Sequence, residues 1–149
     1  MKSGERSGDA IVEEIAIRGT AERIFDALTR PEKLMKWWGA EGRFKTAYAE
    51  CELRPGGKWR MHVRGAGGGM NIVTGEYRRI ERPRLLEFTW IREQEDAVET
   101  LVRWELEEER NGVTRVRVTH SGLATEALRK RNSGWPLIVA LLRDYLEAK

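Results

Sequence analysis

Apolar and polar residues alternate along most of this chain, from about residue 44 to residue 120. In the stretch KWRMHVR, Trp59, Met61 and Val63 fall on one side of an extended backbone, opposite lysine, arginine and histidine. Glycine, proline and Asn-Gly turn signals interrupt the alternation. The pattern therefore predicts one strand near residues 11–17 and six later strands, near 44–54, 57–64, 71–81, 84–93, 98–109 and 113–120.

Two short helices are predicted between the first strand and this run of strands. The stretch AERIFDAL follows Thr20, which has the side chain of an N-cap. The second helix, PEKLMKWW, is expected to begin after Thr29 as N-cap, with Glu32 as its capping-box partner and Pro31 in the first turn. Trp37 and Trp38 point about 100° apart on such a helix, so they cannot share one face.

The last part of the chain has a helical period, interrupted by Pro136. With Ser133 as N-cap, this proline falls in the first turn, where its missing N–H costs little. We therefore predict a short helix near residues 124–131 and a longer one near 134–147. One apolar stripe of the longer helix is formed by Trp135, Ile138, Val139, Leu142 and Leu146.

Each predicted strand has one apolar and one charged face, which is typical of an antiparallel sheet with water on one side. The final helix would be about 21 Å long, enough to cross four or five strands. The predicted fold class is α+β: a helix-grip fold in which a curved antiparallel sheet of six to seven strands surrounds the C-terminal helix. Residues 10–149 are expected to form one domain, and residues 1–9 a disordered polar tail.

Large side chains are predicted to point into the space between the sheet and this helix. They can interlock into a solid core, or they can hold the two layers apart and leave a cavity of ligand size. Trp38 is expected to close one end of that space, while Trp37 caps the first strand and helix. The predicted ligand-binding set is Trp38, Trp59, Met61, Met70, Phe88, Trp90, Trp104, His120, Trp135 and Ile138.

Several segments resemble successive signatures of the activator of heat-shock protein 90 ATPase homologue family, in the START-like (SRPBCC, helix-grip) superfamily. They are IRGTAERIFDALTRPEKLMKWWGAEG, CELRPGGKWR, TGEYRRIERPRLLEFTW, VTHSGL and SGWPLIVALLRDYL. The resemblance implies a curved antiparallel sheet that grips a C-terminal helix, with an apolar cavity between them. It also implies a range of functions, from carriers of hydrophobic ligands to cyclases and chaperone-associated proteins.

Composition and charge narrow the functional classes. The 27 basic residues exceed the 24 acidic residues by only three and are interleaved with them, which does not favour nucleic-acid binding. The single Cys51 cannot form an internal disulfide and is expected to be a buried thiol. Since no apolar run approaches 18 residues, we expect a cytoplasmic protein that does not interact with a membrane.

Chemical motifs are few. Two histidines and one cysteine on different strand faces predict no metal site, and neither a P-loop nor a Gly-x-Ser-x-Gly elbow is present, so no cofactor is expected. His120 is the best catalytic candidate, because it faces the predicted cavity and histidine titrates near neutral pH. Tyr77 or Glu76 could act with it on a carbonyl compound, in a cyclase- or hydrolase-like reaction.

Three functional hypotheses follow, and the sequence favours the first. The protein binds a hydrophobic small molecule without turning it over, it is an enzyme that uses His120 as acid or base, or it is an interaction module for a chaperone. A monomer and a homodimer are both compatible with the pattern.

Overall fold

The computed structural model describes residues 5–7, 9–93 and 97–148. The strands and helices follow the predicted order, with a short 3-10 turn (Arg110–Gly112) between the last two strands. Their bounds are β1 (Glu5–Ser7), β2 (Ala10–Arg18), α1 (Ala21–Thr29), α2 (Pro31–Trp37), β3 (Gly39–Ala40), β4 (Phe44–Cys51), β5 (Lys58–Gly65), β6 (Met70–Glu81), β7 (Leu85–Arg92), β8 (Glu99–Glu108), β9 (Val113–Ser121), α3 (Glu126–Arg131) and α4 (Trp135–Glu147).

The strands form one curled antiparallel sheet, in the order β1-β2-β9-β8-β7-β6-β5-β4-β3. Strands β4 to β9 are consecutive neighbours, and β2 joins the free edge of β9, where Ile11 pairs with His120. The seven long strands correspond to the six to seven that the sequence predicts. The two additional strands, β1 and β3, are only three and two residues long and lie at the two edges.

Helix α4 covers the concave face of the sheet, as predicted. The buried residues of α4 are the five of the predicted stripe: Trp135, Ile138, Val139, Leu142 and Leu146. Its C-terminal end is fixed to the rest of the fold, because the Arg23 guanidinium donates to the carbonyl of Leu146 (3.2 Å) and the backbone N–H of Arg18 donates to the Glu147 carboxylate (2.8 Å). None of the helices within the described residues is long and apolar enough to cross a membrane.

Two of the three predicted N-caps are wrong. Thr20 does cap α1, since its hydroxyl accepts from the N–H of Arg23. Thr29, however, is the last residue of α1, and its hydroxyl donates to the carbonyl of Phe25 (2.8 Å), so Arg30 is the N-cap of α2. Ser133 likewise donates back to the carbonyl of Lys130 (2.8 Å), and the N-cap of α4 is Gly134.

The N-terminal segment also differs from the prediction of a disordered tail through residue 9. Residues Glu5–Ser7 form β1 and pair with the start of β2, whereas residues 1–4 and 8 lie outside the described part of the chain. Main-chain hydrogen bonds to the edge of β2 account for this strand. Such pairing needs no apolar alternation, which is why the polar sequence does not reveal it.

The predicted Asn-Gly hairpin between β8 and β9 is confirmed. Asn111 and Gly112 both have positive φ angles, 66° and 73°. Asparagine and glycine tolerate this left-handed region best, and the resulting tight turn matches the twist of the two strands. The hairpin places His120 of β9 opposite Val102 of β8, on the concave face.

Candidate ligand-binding site

A cavity of about 360 Å³ opens between the concave face of the sheet and the N-terminal end of α4. Strands β4 to β7 form one wall, and the connection from α3 to α4 forms the other. The lining residues are Trp38, Arg43, Phe44, Val63, Gly65, Asn71, Val73, Trp90, Arg92, Arg131, Asn132, Gly134, Trp135, Leu137 and Ile138.

Three tryptophans form the inner wall of this cavity. The ring centroid of Trp38 lies 6.2 Å from that of Trp90 and 6.0 Å from that of Trp135, and the latter two are 5.7 Å apart. These separations are typical of aromatic rings in van der Waals contact. The cavity thus has a wall of indole rings that packs tightly behind the open space.

Local backbone contacts fix the position of Trp38, which follows the last residue of α2. Its carbonyl accepts from both the N–H (3.2 Å) and the hydroxyl (2.7 Å) of Thr46 on β4. The ring of the neighbouring Trp37 contacts that of Trp38 (ring centroids 5.2 Å apart) but is buried, and its N–H donates to the carbonyl of Ala27 in α1 (2.8 Å). Trp38 therefore faces the cavity, and Trp37 joins the two short helices.

Behind this wall lies a second, much smaller space of about 30 Å³. It is surrounded by Leu28, Leu34, Trp38, Cys51, Trp59, Met61, Tyr77, Phe88, Trp90 and Trp104. A space of this size is about that of one water molecule. Trp38 and Trp90 line both spaces, so these two rings separate the outer cavity from the core.

His120 lies behind the wall and is completely buried. The indole N–H of Trp135 donates to its Nδ1 (3.1 Å), which leaves the ring proton of the neutral imidazole on Nε2. That nitrogen is 2.7 Å from the hydroxyl of Thr100, and the hydroxyl donates in turn to the carbonyl of Trp90 (3.0 Å). Both ring nitrogens are therefore occupied by protein partners.

Burial also keeps His120 neutral. Desolvation, together with the positive charge of Arg92, lowers its pKa to about 3. Near neutral pH an imidazole with this pKa is not the imidazolium form that acts as a general acid, and both of its nitrogens face protein partners. The arrangement is that of a structural link between β8, β9 and α4.

One polar atom of the tryptophan wall has no partner. The indole N–H of Trp90 is buried and makes no hydrogen bond to any residue that the structure describes. Buried N–H groups are nearly always paired, so this donor would gain from an acceptor in the neighbouring space.

Arginines surround the mouth of the cavity. Arg43 and Arg131 are exposed, and Arg92 is half-buried. The Nε of Arg92 donates to the side-chain oxygen of Asn132 (3.1 Å), while its guanidinium lies 5.8 Å from the ring centroid of Trp90. Asn132 is buried, and its amide donates to the carbonyl of Leu128 in α3 (2.8 Å), which fixes the position of Arg92.

The structure separates the predicted site residues into four groups. Trp38, Trp90, Trp135 and Ile138 line the outer cavity, while Trp59, Met61, Phe88 and Trp104 surround the small inner space together with Trp38 and Trp90. His120 is behind the wall. Met70 is not part of either lining, because the odd-numbered positions from Asn71 to Tyr77 are the ones that face inward on β6.

Sequence analysis missed the polar part of the site. Arg92 lies at the end of β7, and Arg131 and Asn132 lie at the end of α3, so only the fold brings them together. Phe44 and Val63 could have been found, since strand alternation places Val63 on the same face as Trp59.

A larger hollow of about 530 Å³ lies on the opposite, charged face of the sheet. Its arginines pair with glutamates: Arg117 with Glu14 at 2.8 Å, and Arg103 with Glu87 at 3.7 Å. The hollow is an open part of this charged sheet surface. Within the described ranges, no three His, Cys, Asp or Glu side chains come close enough to hold a metal ion.

The curled sheet, the helix on its concave face and the cavity between them define a START-like helix-grip fold. The family model of Activator of Hsp90 ATPase homolog 1-like protein matches residues 18–147, and the chain belongs to this family. No curated protein has a matching sequence.

Solved structures share the fold at low sequence identity. A protein from Chromobacterium violaceum is 19% identical, with 95% of this chain and 99% of that chain covered and a TM-score of 0.83. A protein from Rhodobacter sphaeroides is 23% identical (98% and 95% covered, TM-score 0.82). An HSP90 activator from Plasmodium falciparum is 20% identical (87% and 89% covered, TM-score 0.67). At these identities the likeness shows the fold alone.

Proposed function

We propose that this protein binds a hydrophobic small molecule in the cavity between the sheet and α4. The observation that carries the proposal is the cavity itself: about 360 Å³, with a wall of three indole rings and aliphatic side chains. Its volume is within the usual range of ligand sites, and its apolar lining with few polar groups is typical of them.

The position of the cavity supports the proposal further. It lies between two layers of the fold, where a ligand would be enclosed by strands on one side and by α4 on the other. The inner space of about 30 Å³ is too small for a ligand, so the bound molecule would lie outside the wall formed by Trp38 and Trp90. The wall would contact the ligand directly.

Tryptophan fluorescence during titration with fatty acids, sterols and aromatic polyketides tests this proposal. We expect saturable quenching, because Trp38, Trp90 and Trp135 line the cavity. Val63→Phe places a larger side chain in the cavity and should weaken binding at least about tenfold. Leu53→Phe is the matched control, since Leu53 is exposed and does not line the cavity. The absence of a response to every compound would contradict the proposal.

An acid–base function of His120 has little support. Its nitrogens are engaged by Trp135 and Thr100, and the pKa near 3 leaves it neutral. A general acid or base must reach the substrate and have a pKa near the working pH. Turnover of a carbonyl compound that is lost in His120→Gln, with binding of that compound unchanged, would restore this hypothesis.

Association with a chaperone is the second candidate function, and family membership is the observation that favours it. The test is the ATPase rate of purified Hsp90 with and without this protein, with Val63→Phe as a comparison. Stimulation by the wild type and by Val63→Phe alike would support a function that does not need the cavity. This function also requires a shared compartment, which we expect to be the cytoplasm.

A further inference from the structure

Among the residues that the structure describes, the charged side chains at the cavity mouth all have the same sign. Arg43, Arg92 and Arg131 contribute to the lining, and no aspartate or glutamate of the described ranges does. Several arginines elsewhere on the surface are paired with carboxylates, as Arg82 is with Asp26 and Arg115 with Glu109. The interior behind these arginines is apolar, so the positive charge lies at one end of a hydrophobic space.

Two of the three arginines have no ion-pair partner. Neither Arg43 nor Arg131 is within salt-bridge distance of a carboxylate in the described part of the chain. Both side chains are exposed at the mouth. They can therefore turn toward an anion without breaking an existing ion pair. The free-energy cost of this reorientation is smaller than it would be for a buried arginine.

The third arginine is held in place. Arg92 donates to the oxygen of Asn132 at 3.1 Å and to the backbone oxygen of Arg131 at 3.4 Å, and it lies over the Trp90 ring. These contacts direct the guanidinium to the boundary between the apolar wall and the mouth. A positioned guanidinium is the side chain best suited to a carboxylate, because it presents paired donors in one plane.

Among the few polar side chains of the lining, hydrogen-bond donors outnumber acceptors. The arginines only donate, Asn71 brings one amide oxygen, and the oxygen of Asn132 is already used by Arg92. The buried N–H of Trp90 has no acceptor among the described residues. A ligand that brings acceptor oxygens and negative charge matches this lining, whereas a cation would be repelled and a neutral apolar molecule would leave the donors unused.

We propose that the ligand is an amphiphilic organic acid, with its apolar body against the tryptophan wall and its carboxylate at Arg43, Arg92 and Arg131. This inference rests on the proposed binding function and specifies the chemical class of the ligand. The carboxylate lies at the mouth, where water still reaches it, and the hydrocarbon part lies inside.

Three compounds with the same eight-carbon chain test the charge preference: octanoate, 1-octanol and octylammonium. Binding is measured by tryptophan fluorescence and by calorimetry at low ionic strength. Octanoate should bind about tenfold more tightly than 1-octanol, since one hydrogen bond to a charged group contributes about that factor. Octylammonium should bind more weakly than 1-octanol. Equal affinities of octanoate and 1-octanol would overturn the inference but leave the binding function, whereas the binding of none of the three would overturn both.

The double variant Arg43→Gln/Arg131→Gln tests which residues carry the preference. It should lower the affinity for octanoate to about that for 1-octanol and change the affinity for 1-octanol less than about twofold. Arg54→Gln/Arg110→Gln removes the same net charge from exposed positions outside the lining and should leave the preference intact. An unchanged preference in the first variant, or equal losses for octanoate and 1-octanol, would overturn the assignment of these arginines.

Discussion

At the scale of single residues, His120 shows how position and chemistry can suggest different roles. Strand alternation correctly places it on the concave face, and this orientation made it a catalytic candidate. The structure buries it completely and connects it to Trp135 and Thr100. The role of His120 is therefore structural. Its neutral ring connects β8, β9 and α4 through hydrogen bonds to Thr100 and Trp135.

Neutral His120 predicts a dependence of stability on pH. Its pKa is about 3 in the folded protein, against about 6.5 for an ordinary histidine. Between these values the unfolded chain binds a proton that the folded protein does not. The contribution of His120 is therefore complete above pH 6.5 and is lost as the pH falls toward 3. At pH 5 the free energy of unfolding should be lower by about 2 kcal/mol, as measured by urea unfolding at several pH values.

The variant His120→Gln isolates this effect. It should be less stable than the wild type at pH 7, because the amide replaces the ring imperfectly, but its stability should change little between pH 6.5 and 5. His62→Gln is the control, since His62 is half-buried on the other face of the sheet and accepts a bond from Arg60. The same pH slope in wild type and His120→Gln would show that another group is responsible.

Gly75 is required by a close approach between strands. The indole of Trp59 on β5 crosses β6 at Gly75 and donates to the carbonyl of Thr89 on β7 (3.2 Å). A Cβ at Gly75 would lie 1.8 Å from the oxygen of Thr89 and 2.4 Å from the Trp59 nitrogen. Gly75→Ala should therefore destabilise the protein by about 3 kcal/mol or more, by urea unfolding.

Gly69→Ala is the matched control for this prediction. Its φ is not in the left-handed region, and a Cβ there would meet nothing within 4 Å. The change should alter the unfolding free energy by less than about 1 kcal/mol. If Gly75→Ala were tolerated as well as Gly69→Ala, the Trp59 indole would not hold β5 and β7 together across β6.

At the scale of the elements, sequence periodicity predicted most of the fold. Sequence periodicity determines which side chains share a face, and the faces it predicts are buried. They are the five apolar residues of α4 and the inward row of β9, which is Thr114, Val116, Val118 and His120.

Helix caps are less well determined by the sequence. A serine or threonine between two helices can cap the second or bond back into the first, as Thr29 does, and only the path of the backbone decides.

The cavity could be predicted only as an alternative to a filled core. The sequence shows which tryptophans point inward, but the space that remains depends on ring separations of a few ångströms. Trp59 and Trp104 fill the interior, whereas Trp38, Phe44 and Val63 line an outer space that stays open. The polar mouth depends on Arg92 and Asn132, which are 40 positions apart and meet through the fold.

The contact between α4 and the sheet should dominate the stability of these elements. Leu142 is completely buried in the stripe. Leu142→Ala removes apolar contact and leaves a void, so it should lower the unfolding free energy by about 2–5 kcal/mol. The neighbouring Arg143 is half-exposed and pairs with Asp144.

Arg143→Ala is therefore the control on the same turn of α4, with an expected change of less than about 1 kcal/mol. Both variants are compared by urea unfolding at pH 7. Similar losses in the two variants would mean that the helix is stabilised by its exposed charges rather than by burial against the sheet.

At the scale of the whole molecule, the two faces of the sheet perform separate tasks. The outer face carries arginine–glutamate pairs, such as Arg117 with Glu14, that satisfy one another and contribute little individually. The concave face carries the core and the cavity, with Arg43, Arg92 and Arg131 at the cavity mouth. The surface with paired charges and the cavity mouth with its three arginines are therefore on opposite sides of the same strands.

The order of strands predicts which parts of the molecule open last. Although β2 and α4 come from opposite ends of the chain, β2 pairs with β9 along eight residues, and α4 covers the same region of the sheet. Their amides should exchange with solvent as slowly as those of β8 and β9. The amides of β4 should exchange faster, because its outer edge is paired only with the two-residue β3. Hydrogen exchange followed by mass spectrometry on peptides from each strand measures this order. Faster exchange in β2 or α4 than in β4 would show that the ends of the chain open independently of the sheet.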